Sequence, residues 1–194
     1  MGNQEERSND TERLFARMCA PNRLERIESA CNQYRSASPS DDKFLEFFSN
    51  FEFTANVIDR ARYCLEKMEI SEQGNHVELD VLGPESVHIE HIMPQKIKTK
   101  KAKDDFGDWV GYLGDKAEVL HPKFVSRIGN LAIFSGNLNI SASNNPFESK
   151  KSAYARSSLL TTRKLTSIQE FSFAYIEQRS RELAEKAVTL WPIP

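Results

Sequence analysis

At 194 residues, with 39% hydrophobic and 28% charged side chains, the chain has an ordinary globular balance, enough for one good core with a helical extension. No apolar run approaches the roughly 20 residues that span a bilayer, and the polar start M-G-N-Q-E-E-R-S has neither a signal peptide nor a myristoylation signal, so a cytoplasmic protein with no membrane association is expected. Net charge is −2, which taken alone argues against a nucleic-acid binder, and Cys19, Cys31 and Cys64 form no C-x-x-C pair, which excludes a zinc knuckle or a disulfide framework.

In chain order, the first 70 residues read as helices. Asn9, Asp10 and Thr11 can cap a segment with Leu14, Phe15 and Met18 at helical spacing. Pro21 suits the first turn of a second helix, with Leu24, Ile27, Cys31 and Tyr34 on one face. After the break S-A-S-P-S, Asp41 and Asp42 open a segment with Phe44, Phe47, Phe48, Phe51 and Phe53. An aromatic stripe at this spacing is core rather than a ligand pocket. A further helix over residues 54–67 buries Val57, Ile58, Ala61 and Leu65. Alternation then takes over through Val77, Leu79 and Val81 to a Gly83-Pro84 turn.

Residues 87–95 read V-H-I-E-H-I-M-P-Q, a partly buried strand expected to end at Pro94, which lacks an N–H for the ladder. His88, Glu90 and His91 are interleaved there with Ile89, Ile92 and Met93. Imidazoles and a carboxylate where a strand leaves the core need a use, and a divalent metal with a water nucleophile would supply one. Residues 96–103 hold five lysines and read as a mobile loop. Phe106, Trp109, Val110 and Leu113 suggest a short helix ended by Gly114. A second strand covers residues 131–134, Pro146 starts a short helix through Phe147, Lys150, Lys151 and Tyr154, and residues 167–190 read as one long amphipathic helix.

Charge is unevenly spread along this order. Residues 1–80 hold 10 Lys and Arg against 16 Asp and Glu, a net of −6, whereas residues 81–194 hold 16 against 12, a net of +4. Within residues 119–164, Glu148 is the only carboxylate, set against seven basic residues. Basic charge gathered around the candidate site is what a phosphate backbone requires.

The motifs resemble a family. E-H-I-M-P-Q followed by G-N-L-A-I-F-S-G-N-L-N resembles the HNH (ββα-metal, His-Me finger) nuclease signature, through Glu90, His91, Ile92 and Pro94, then Asn130 and Leu131, then Asn139. The first segment is also similar to the HNH domain of the RNA-guided CRISPR effector. The run from Ile128 through Phe147, Lys150 and Tyr154 resembles the C-terminal nuclease domain of GmrSD-type restriction enzymes, bacterial systems that cut modified phage DNA. The resemblance is firm over residues 86–156 and extends more loosely to the helices on either side, including Arg179 to Pro192.

The resemblance implies an α+β, mostly helical domain with a ββα-metal finger embedded in it. Residues 1–80 would form an N-terminal helical region, residues 81–160 the finger, and residues 161–194 a C-terminal amphipathic helix packed on the same domain. It implies a metal-dependent DNA endonuclease acting on foreign DNA in restriction-type defence. A histidine titrating near neutrality suits activation of water, which points to His91 as the base. Glu90 and Asn139 offer hard oxygens for Mg²⁺ or Mn²⁺, with His88 as a further ligand. Asn130 orients the base. Lys150, Lys151, Arg156, Lys96 and Lys98 are candidate phosphate contacts. With no cysteine after Cys64, no structural zinc is expected. The family pairs this domain with an NTP-binding sensor, whose Gly-rich phosphate loop this sequence lacks, so that sensor is expected as a further domain or a separate subunit. Two other readings use the same finger: an inactive HNH-like DNA-binding module, and a ribonuclease or toxin effector. Strand alternation raises one difficulty, because Glu90 and His91 converge on one phosphate only if the strand breaks between them.

Overall fold

The computed structural model describes residues 22–73, 87–98, 108–135 and 144–192. They are mostly helical, with one two-stranded antiparallel sheet. The expected helix around Leu14, the alternating stretch through Val81 and the Gly83-Pro84 turn lie outside the described residues, as do Asn139 and most of the lysine-rich loop. The chain divides into two compact units, residues 1–42 with 191–194, and Lys43–Leu190.

In the first unit, helix α1 (Arg23–Ala37) follows Asn22, whose φ of 71° marks a left-handed turn. None of its residues is buried, and Leu24 is 80% exposed. The expected apolar face does not become core, because four apolar residues among seven charged or amide side chains make too narrow a stripe.

The second unit carries the sheet. Helix α2 (Asp41–Asn50), whose first two residues belong to the first unit, opens on Asp41 and Asp42, whose charges suit the positive end of the helix dipole. Its aromatic stripe is core in part: Phe44 stacks on Phe48 at 5.4 Å, Phe48 meets Phe53 edge-on at 5.8 Å, and Phe48 and Phe53 are buried, whereas Phe47 is 66% exposed. A 3₁₀ turn at Ala55–Val57 leads into helix α3 (Ile58–Gln73), which buries Ala61, Leu65 and Met68.

Strand β1 (Val87–His91) and the later strand β2 (Leu131–Ser135) pair antiparallel, with His91 opposite Leu131 and Glu90 opposite Ala132. Between them come helix α4 (Trp109–Leu113) and helix α5 (Ala117–Phe124). Asp108 caps α4 by accepting from the Gly111 nitrogen at 2.6 Å, and Gly114, at φ 79°, ends it. Helix α5, in a stretch given no element from the sequence, carries Pro122 in its last turn.

After β2 come helix α6 (Phe147–Ala155), starting after Pro146 as expected, then the single turn α7 (Leu160–Arg163), a 3₁₀ turn at Lys164–Ser167, and helix α8 (Phe173–Leu190). The final helix starts later than its periodicity suggests. Ser172 caps it, with its hydroxyl accepting from the Tyr175 nitrogen at 3.3 Å and its carbonyl from the Ile176 nitrogen at 3.0 Å.

The sheet is covered on both faces, so β2 is apolar from Leu131 to Phe134. Ala132 and Phe134 join Ile92, Met93, Trp109, Phe147, Tyr154 and Phe171 in one cluster. Leu131 and Ile133 join Val87, Phe48, Leu65 and Ala184 in the other.

Candidate active site

The site is built at the end of β1, which stays paired through His91. Neighbours on a paired strand point to opposite faces, so Glu90 and His91 do not converge, and the break needed between them is absent. The strand ends at His91, three residues before Pro94.

Asn130 fixes the segment that leaves the strand. Its side-chain oxygen accepts from the Met93 nitrogen at 2.8 Å, and its amide nitrogen donates to the Met93 and Val125 carbonyls at 2.8 Å each. The Asn130 carbonyl accepts from the Ile92 nitrogen at 3.0 Å. A fully buried side chain therefore satisfies both polar groups of Met93 and ties the chain leaving β1 to the start of β2.

Helix α8 holds the turn that presents Asn130. Arg179 is buried, and its Nη1 donates to the carbonyls of Gly129 at 2.7 Å and Leu131 at 2.8 Å. The Gly129 nitrogen donates to the Ser180 hydroxyl at 3.1 Å. A Cβ on Gly129 would collide with the Ile176 carbonyl oxygen and lie 2.8 Å from the Ser180 nitrogen, so only glycine lets the turn sit this close.

His91 is half-buried. Burial first, then the nearby charges of Lys150 and His121, hold its imidazole down at about 4, so it is neutral at pH 7 but a weaker base than the near-neutral histidine expected there. Gln95 Nε2 lies 3.4 Å from His91 Nε2. His121, which the motif did not single out, is half-buried, with Nε2 2.8 Å from the Pro94 carbonyl oxygen. It sits 30 residues after His91 on a helix that the sequence did not suggest, so no spacing signal pointed to it.

Glu90 faces the other way, onto α6. It is buried, and its Oε1 accepts from Lys150 Nζ at 2.6 Å and from the Tyr154 hydroxyl at 3.3 Å. Burial pushes Glu90 up and Lys150 down, and each charge opposes the shift of the other. Burial, then Glu90, raises the Tyr154 phenol well above its ordinary value.

Of the expected metal ligands, Glu90 and His88 are not brought together, and Asn139 lies outside the described residues. Glu90 is committed to Lys150 and Tyr154, and His88 is exposed on the strand. Among the described residues, no three His, Cys, Asp or Glu side chains come together to hold a metal ion. The donors described do not fit the Mg²⁺ or Mn²⁺ that the resemblance implies.

The expected phosphate contacts divide. Lys150 is fully buried, and a phosphate cannot reach its ammonium where it lies; its place at the middle of α6 turns it onto the sheet. Lys151 pairs with Glu148 at 2.7 Å and lies over the Phe147 ring at 5.1 Å. Lys98 pairs with Glu118 at 2.7 Å. Arg156 and Lys96 are exposed and have no carboxylate partner among the described residues.

These features define a class: a mostly helical domain built around a strand-end histidine, with an asparagine clamp on one side and a buried Glu–Lys pair on the other. Residues 38–186 match the family described as GmrSD restriction endonucleases, C-terminal domain, and the chain belongs to that family. No curated protein and no solved structure matched the chain. Membership points to a restriction-endonuclease-type nuclease domain with DNA as its substrate. No helix among the described residues is long and apolar enough to cross a membrane.

Proposed function

We propose that this domain hydrolyses phosphodiester bonds of foreign DNA in restriction-type defence, on an HNH-type site with His91 as the general base. The observation that supports this most is the place of His91 at the end of β1, with the residues that follow it held by the Asn130 clamp. A base must be unprotonated at working pH and must not wander from the water it activates. Asn130 serves the second condition by fixing the next two residues. Asn130 is then a positioning residue, and of the candidate phosphate contacts the exposed Arg156 and Lys96 are the ones left to meet phosphates. The NTP-binding sensor that the resemblance implies would select the target and deliver the DNA.

Supercoiled plasmid tests the reading. His91→Ala should slow nicking about 100-fold or more, the usual contribution of a positioned base, while DNA binding persists. Cleavage by that variant at the wild-type rate would remove His91 from the mechanism. Run with Mg²⁺, with Mn²⁺ and with EDTA, the same assay measures the metal requirement that the resemblance implies.

A further inference from the structure

Lys150 has no exposed surface, yet it carries an ammonium into the interior. A buried ion pair contributes little net stability, because desolvation roughly offsets the attraction, so its presence calls for another account. The contacts supply one. Besides Glu90, Lys150 Nζ donates to the main-chain carbonyl of His91 at 3.0 Å.

Strand geometry explains why that carbonyl needs a donor. In an antiparallel pair, alternate residue pairs turn their N–H and C=O groups away from the partner strand. On β2 the outward carbonyls belong to Leu131 and Ile133, taken by Arg179 at 2.8 Å and by the Thr162 hydroxyl at 2.6 Å. Leu131 is opposite His91, so the His91 carbonyl is outward too. The last pair of the sheet is therefore held from both sides by buried cations, Arg179 on Leu131 and Lys150 on His91.

We propose that Lys150 is a positioning residue for His91, acting through the His91 main-chain carbonyl, and that Glu90 is the internal counter-ion of Lys150 rather than a metal ligand. This rests on His91 being the base. A hydrophobic side chain would fill the space beside Phe147 and Tyr154 equally well, but it could not fix the peptide that carries the imidazole. Tyr154, donating to the same Glu90 oxygen, holds the counter-ion in place.

The test separates positioning from stability. Lys150→Met leaves Glu90 buried without its partner and should lower the melting temperature. The double variant Glu90→Gln/Lys150→Met removes both charges and should recover most of that loss. Its His91 imidazole ¹⁵N–¹H resonances should nevertheless stay displaced from wild type, and plasmid nicking should be reduced about 100-fold, as expected for a base misplaced by about 1 Å. A double variant with wild-type melting, resonances and nicking would overturn the proposal. So would a nicking defect with unmoved His91 resonances, which would place Lys150 or Glu90 in direct contact with DNA or metal. If the double variant does not fold, the imidazole spectrum of Lys150→Met, recorded well below its own melting temperature, decides in the same way. Should the wild-type domain cut no DNA, the nuclease reading fails, while the imidazole resonances still report whether Lys150 orients His91.

Discussion

His91 combines two properties that pull against each other. Burial that keeps the imidazole neutral also makes its protonation unfavourable in the folded state. The ordinary value of 6.5 applies to the unfolded chain, and about 4 to the folded one. Between those two values the unfolded chain binds more protons, so folding stability falls as pH drops through that window. Urea midpoints should decline from pH 7 to pH 4.5, and His91→Gln should decline less over the same range; equal declines would assign the acid sensitivity to other groups. Asn130 carries a larger structural share. Asn130→Ala strands the N–H and C=O of Met93 in the interior, and each unsatisfied group costs about 1–3 kcal/mol. Denaturant unfolding of that variant should show at least the lower figure. Both residues were legible in the sequence, because the motif ties them to a strand exit and to a turn. The pairing of Glu90 with Lys150 was not, because the two lie 60 residues apart and no local pattern joins them.

At the level of elements, the sheet is small and depends on its neighbours. Two paired strands alone are marginal in water, so the sheet relies on α3, α6 and α8 to cover its faces. The contact between Gly129 and α8 is the tightest part of this arrangement. Gly129→Ala should destabilise the domain by about 1–3 kcal/mol, because the added methyl meets helix backbone that cannot yield. It should also slow nicking by loosening the Asn130 turn, and a variant with unchanged melting and rate would show that the helix yields there. The strands, α2, α4 and α6 were readable from apolar spacing, Asp41-Asp42, the glycine stop and Pro146. Helix α5 fell in a stretch given no element from the sequence. The single turn α7 is too short for a period, and buried Glu69 organises it, accepting from the nitrogens of Leu160 at 2.6 Å and Thr161 at 2.9 Å. A contact spanning 91 residues leaves no local pattern to find.

Across the whole chain, the basic C-terminal portion predicts salt-sensitive DNA binding, and the structure narrows which side chains can contribute. Each neutralised phosphate adds about −0.9 to the log–log salt slope on duplex DNA. Lys96→Ala with Arg156→Ala should flatten that slope by roughly two units, measured on His91→Ala protein so that cutting does not distort binding. Lys150→Met should leave the slope where it was. A slope that responds to Lys150 and ignores Lys96 and Arg156 would reverse this assignment. The hold of α8 on the I-G-N turn also bears on how the protein is made. Arg179 lies 50 residues after the Gly129 carbonyl that it grips, so a ribosome delivers the entire motif well before its support. A growing chain halted at Ser172 would display His91, Asn130 and α6 with nothing behind the turn. On the proposed reading cutting would depend on α8, and a product truncated before Phe173, motif intact, should not nick plasmid.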